Sequence, residues 1–181
     1  MTGRELLVIA VLAVLAFWTL GAYNRLVRLR QSVAVAFAQI DVHFRQRHDL
    51  LGELIEACAD ALADAPDAVA GLDAARRQTR VAADRAALRP ASAGRLASLA
   101  LAEQVLRTAS LRLITLVKAR PAMRSDPRLR AVTQSLSTAQ HRVSAAREGF
   151  NATVLDYNRN VQQFPTRLIA GMLGFRVAGT L

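Results

Sequence analysis

The 181-residue chain is poor in the residues that interrupt helices and in those that build metal or redox centres. Its one cysteine, Cys58, excludes an internal disulfide and any paired-cysteine metal or redox motif. Nine glycines and five prolines fall well below the ~12% of an average protein, which disfavours a turn-dense β fold. With three histidines and 14 acids there is little from which to assemble a reactive site. Asp41, His43, His48 and Asp49 are close in sequence, yet only positions 41 and 48 share a helical face, and His141 could join them only across helices. Gly171, Gly174 and Gly179 lack the strand-to-helix setting of a phosphate loop. Strand-like alternation is short, and neither an internal repeat nor a low-complexity tract is present. The sequence therefore predicts an all-α protein that needs no cofactor or metal and carries no catalytic group.

What the chain has in excess is apolar surface: 52% hydrophobic residues and a mean hydropathy of +0.20. Nineteen residues without a charge, Leu6 to Asn24, lie at the front. As a helix they cover ~28 Å, close to the ~30 Å hydrocarbon core of a bilayer. Trp18 and Tyr23 fall near the distal end, where amphipathic rings favour the headgroup layer. A cleavable signal peptide is the competing reading. Its basic region would hold only Arg4 beside Glu5, and a cut after Ala22 would leave bulky Leu20 where a small residue is wanted. A permanent single-pass anchor over residues 1–24 fits better. Arg25, Arg28 and Arg30 follow the span, so the positive-inside bias puts the N-terminus outside and the body in the cytoplasm.

Beyond the span, apolar residues recur every seven positions. Leu26, Val33, Ile40, Arg47, Leu54 and Ala61 form one row; Phe37, Phe44, Leu51 and Cys58 form another. Such rows suit a helix packed against a partner helix, and self-association stays open. With no Pro or Gly between Gly21 and Gly52, span and helix can be continuous. A second helix, about 67–88, has a weak stripe through Val69, Leu72 and Val81; Ser92 is a candidate cap for a third, carrying Leu99, Leu106 and Leu113. Residues 121–127 read as a loop, with Asp126 capping a fourth helix that begins at Pro127. That helix has Leu129, Leu136, Val143, Phe150, Tyr157 and Phe164 at strict heptad spacing and stops at Pro165. The expected architecture is an up-and-down antiparallel bundle over residues 25–165, of four helices, or of three if Pro90 only kinks one long helix. Residues 166–181 form a short apolar tail that either lies in the membrane interface or caps the bundle.

Charge supplies the remaining candidates. Arg47 interrupts an apolar row, so a buried cation there must be paired; Asp41, Asp49 and Glu56 lie on the same helix as Arg45, and Arg142 and Arg147 lie on the last helix. Interhelical ion pairs are the structural reading; a charged ligand or catalytic groove between helices is the alternative. The net charge of +10 points to anionic partners. Aromatic residues lie on the apolar stripes and not beside exposed arginines, which argues against nucleic acid. Anionic lipid headgroups are the simpler partner, with Trp18, Tyr23, Arg25, Arg167, Phe175 and Arg176 as interface residues.

The run Tyr23–Glu56 resembles the opening of the LemA family of bacterial membrane-anchored proteins. Tyr23, Asn24, Leu26 and Val27 meet its first motif, Gln39, Ile40, Asp41 and Val42 its core, and Arg45, Arg47, Asp49 and Leu50 its basic pair and Asp-Leu. Near the other end Arg147, Asn151, Val154, Tyr157, Asn158, Phe164, Pro165, Ala170, Gly174 and Phe175 match its closing signature. Phe37 stands where Trp is usual, Gly52-Glu53 for Pro-Asn, Arg120-Pro121 for Tyr-Pro, and Gln140 for Glu. The resemblance implies a single-pass anchor in the bacterial inner membrane and a cytoplasmic helical bundle. It implies no enzymatic activity; some relatives are linked to membrane remodelling, including magnetosome membranes. A non-enzymatic interaction or scaffold module, with other membrane or envelope proteins as partners, is the resulting expectation.

Overall fold

In the computed structural model residues 3–59 and 61–181 are described, so Asp60 and the first two residues of the 1–24 segment lie outside it. Six helices and no strand occur among the described residues: α1 (Gly3–Ala59), α2 (Pro66–Ala87), α3 (Ala93–Ala119), α4 (Pro121–Ser125), α5 (Pro127–Gln162) and α6 (Thr166–Met172). The lack of breakers in the first third is realised as one unbroken 57-residue helix, about 85 Å long. The most apolar part of it, near the N-terminus, is unburied by the rest of the protein. Its second part carries the heptad rows, which are buried from Leu26 to Cys58; Ala61 falls in the following turn, where Leu62 is buried in its place.

Helix boundaries follow local chemistry. Pro66, Pro121 and Pro127 sit in first turns, where a missing N–H costs nothing. The Asp126 carboxylate accepts from the N–H groups of Arg128 and Leu129 at 2.7 and 3.4 Å, the expected cap. Ser92 holds the cap position of α3 but makes no side-chain cap; its carbonyl accepts from Leu96 N–H instead. Residues 121–125, expected as loop, coil into α4 because Met123 is buried among Leu113, Val117 and Leu129. In α2 the expected stripe is displaced. Val81 is exposed, and the buried face is Ala68, Leu72, Ala75, Thr79, Ala83 and Ala86, small residues that let neighbouring helices approach closely.

α5 runs antiparallel to the second part of α1: Phe37 meets Phe150 edge to face at 5.8 Å, and ten residues further along α1 Arg47 reaches Gln140. α2 and α3 form an antiparallel hairpin, joined by the Thr79 hydroxyl donating to Ala102 O and by Arg95 donating to Arg85 O. Being shorter than α5, this hairpin leaves one end of the α1–α5 pair uncovered, and residues beyond 165 fill the gap. Phe164 is consequently not core, as its heptad position suggested: α5 ends two residues before it and its ring is 77% exposed. Gly174, at φ +74°, closes α6 in a Schellman turn in which Phe175 N–H donates to Ala170 O. The chain then runs extended along α5. The Asn158 amide both accepts from and donates to the backbone of Ala178, Asn151 does the same for Leu181, and the Tyr157 hydroxyl donates to Arg176 O. At Gly179 a Cβ would stand 3.0 Å from the backbone of Ala93, so the close approach to α3 requires glycine.

Two hydrogen bonds at ~1 kcal/mol each make Asn158→Ala raise local opening of the tail by about tenfold or more. Limited trypsinolysis should show faster cleavage after Arg176, with other sites unchanged. Equal rates would mean that Phe175, Ala178 and Leu181 hold the tail without the amides.

Candidate functional site

Arg47 is the buried charge around which the helices meet. It lies 7% exposed on a heptad row of α1, with Leu54 and Ile40 on either side. One guanidinium nitrogen donates to Glu103 Oε1 of α3, and the other, at 3.1 Å, to Gln140 Oε1 of α5. The guanidinium carbon stands 5.4 Å from the centre of the Phe44 ring, within cation–π range. A cavity of about 10 Å³ beside it is bounded by Phe44, His48, Thr79 and Leu106 among others. A space of that size suits a single water, far below the ~300–1,000 Å³ of ligand pockets. Larger concavities, about 530 and 660 Å³, are open grooves along α2 and α3, one bearing Asp67 and Arg112, the other Arg77 and Arg95.

The acids expected to pair Arg47 do other things. Asp41 is buried and takes Arg45 at 2.7 Å, a pair within one helix, and its Oδ1 has no hydrogen-bond partner among the described residues. Asp49 is 79% exposed beside His48. Glu56, Arg142 and Arg147 are exposed, so the structure does not bring them to Arg47. The physical reason is helical phase: residues 49 and 56 lie off the buried stripe, whereas Glu103 sits at its edge on α3 between Leu99 and Leu106. Glu103 was legible in principle, as the one acid between Asp84 and Asp126. Asn151 and Asn158, one heptad apart beside Tyr157, stood in the closing signature without a role; their contacts are with backbone, which no side-chain pattern announces.

The opposite end of the α1–α5 pair gathers the expected interface residues. Trp18, Tyr23 and Arg25 are exposed along α1, and Arg167 and Arg176 are exposed on and after α6. Phe175 is the exception. It is buried, its ring 6.0 Å from that of Tyr23 in an edge-on contact, so it joins the tail to α1.

Among the described residues titration is perturbed at three places. Burial, and then the nearby Arg76 guanidinium, push His48 below its ordinary 6.5, against an opposing pull from Asp49. Burial pushes the Cys58 thiol up, which suits an inert packing residue. Burial also raises the Tyr157 phenol, whose hydroxyl stays protonated and donates to the tail.

These features define an all-helical protein with an exposed apolar N-terminal stretch, a helical body, and a polar centre built to join helices. The chain belongs to the LemA family, whose family model matches residues 36–180, most of its length and including α6 and the extended tail. No curated protein matches the sequence.

Glu103→Ala leaves Arg47 buried without its anion, and chemical denaturation should show a loss of about 3 kcal/mol. Arg47→Leu should cost less, and Asp49→Ala should stay within about 0.5 kcal/mol of wild type. Equal stability of Glu103→Ala and wild type would show that solvent screens the pair. For His48 the sign follows from a folded value below 6.5: its contribution is full above that pH and is lost as pH falls towards the folded value. Thermal melts between about pH 7.5 and about pH 5.5 should therefore fall less steeply for His48→Gln than for wild type.

Proposed function

We infer that this protein is a single-pass, membrane-anchored, non-enzymatic module that holds or organises other proteins at the bacterial inner membrane. The observation that carries the reading is α1: a stretch with mean hydropathy 2.4, unburied by the rest of the protein, that continues as the same helix into a packed body. In water such a stretch would be a liability, whereas in a bilayer it is an anchor with no hinge below it. The domains on this reading are an anchor over 1–24, an up-and-down antiparallel bundle over 25–165 and a tail over 166–181. Arg25, Arg28 and Arg30 orient the body to the cytoplasm and the N-terminus outside. Arg47 supports a structural role over a catalytic one: Glu103 and Gln140 engage its two terminal nitrogens, and the adjoining space holds no substrate-sized volume. A part in membrane organisation fits a protein whose free surfaces are helical faces and lipid-level arginines.

Alkaline carbonate extraction of native membranes should leave the full-length chain in the pellet. A soluble form shorter by about 22 residues would show cleavage of a signal peptide and overturn the anchor. Affinity capture from detergent-solubilised membranes should recover discrete membrane proteins beyond those bound by the span alone; capture equal to the span-only control would overturn the scaffold role.

A further inference from the structure

The tail has two apolar sides and only one of them is covered. Ile169 and Ala170 of α6, with Phe175 after it, are buried against α1 and α5. Phe164, Leu168 and Met172 are 77, 62 and 86% exposed, and Leu173 is half-exposed beside them. Four large apolar side chains within ten residues, uncovered among the described residues, mark an interaction surface. Where this patch sits names its occupant. Phe175 contacts Tyr23, and Tyr23 is the last residue but one of the uncharged run that starts at Leu6. α6 therefore lies level with the cytoplasmic end of the span. Arg25 and Arg28 follow Tyr23 on α1, and Arg167 and Arg176 lie on and just after α6; all four are exposed, and cations at that level suit anionic headgroups.

We propose that α6, with the turn before it, is a second membrane contact: the exposed side chains of Phe164, Leu168 and Met172 are embedded in the headgroup layer of the anionic bilayer that the span crosses, while Ile169 and Ala170 grip the bundle. The proposal rests on the reading of Leu6 to Asn24 as a span. Seven helical residues are too few to cross a bilayer, so the contact is monotopic. With the span as one attachment and α6 as another, the bundle is fixed in tilt against the membrane plane and does not swing from a single point.

The single tryptophan, Trp18, makes the test direct. The full chain is reconstituted in phosphatidylcholine–phosphatidylglycerol vesicles carrying acyl-chain-brominated lipid, which quenches only indoles in contact with the membrane interior or its boundary. Three versions are compared: wild type, Trp18→Phe with Met172→Trp, and Trp18→Phe with Thr138→Trp. Met172 and Thr138 are both exposed, so neither replacement disturbs packing, and Thr138 lies about 36 Å from the end of α5 next to α6. The proposal expects quenching of the indole at 172 comparable with that of Trp18, and none at 138. An indole at 172 quenched no more than that at 138, while Trp18 is quenched, overturns the second contact and leaves the anchor standing. Blue-shifted emission at 172 without lipid quenching would assign the patch to a second protein surface and overturns it equally. Unquenched Trp18 removes the anchor, and this proposal with it.

Discussion

The antiparallel seam between α1 and α5 is the constraint on which the rest of the structure depends. Two heptad-patterned faces, Leu26 to Cys58 and Leu129 to Val161, bury one another over most of their lengths. Burial of a Leu, Val or Phe side chain is worth ~1.5–3 kcal/mol, so a seam of this extent fixes the register of both helices. Everything else is a response to its length. The α2–α3 hairpin covers one part, its alanine face lying close against the neighbours, and the returning tail covers the other. Gly179 marks the junction of these two coverings, where the tail presses on the start of α3.

Within that seam Arg47 is a deliberate irregularity. A leucine there would pack more cheaply, because a buried pair of charges seldom repays the loss of hydration. What the arginine adds is direction. Its two terminal nitrogens have fixed positions, and Glu103 on α3 and Gln140 on α5 engage them together only when three helices are correctly aligned, while Nε has no hydrogen-bond partner among the described residues. An apolar row tolerates a slip of one heptad; a guanidinium fork does not. Gln140 is neutral. In this chain the neutral amide leaves Glu103 as the single anion on the guanidinium.

Much of this was legible in the sequence, because heptads and prolines speak about local periodicity. The buried members of α1, the cap at Asp126 and the end of α5 before Pro165 all follow from spacing and backbone chemistry. α2 was harder to read: alanine-rich helices carry almost no contrast between faces, so Val81 drew the stripe away from its true side. The partner of Arg47 was missed because periodicity says which face is buried without saying which helix lies across it. The tail was ambiguous for a different reason. Its residues divide between two surroundings within a single helical turn, with Leu168 outside and Ile169 inside, and composition averages the two. The Asn151 and Asn158 contacts were invisible because a backbone partner has no sequence of its own.

The continuity of α1 has a rotational consequence. Successive residues of a helix advance by about 100°, so an unbroken helix carries a phase from one end to the other. If the apolar stretch crosses a bilayer as proposed, the side of it that faced a neighbour there would set the azimuth of the helical body beneath it. One residue added in the apolar stretch before Tyr23 would turn the body by more than a quarter circle relative to the start of the helix while leaving the Tyr23–Phe175 contact and those beyond it intact; seven would restore its facing almost fully. On the proposed anchored reading, a companion docked against the apolar stretch would meet the body from one direction only.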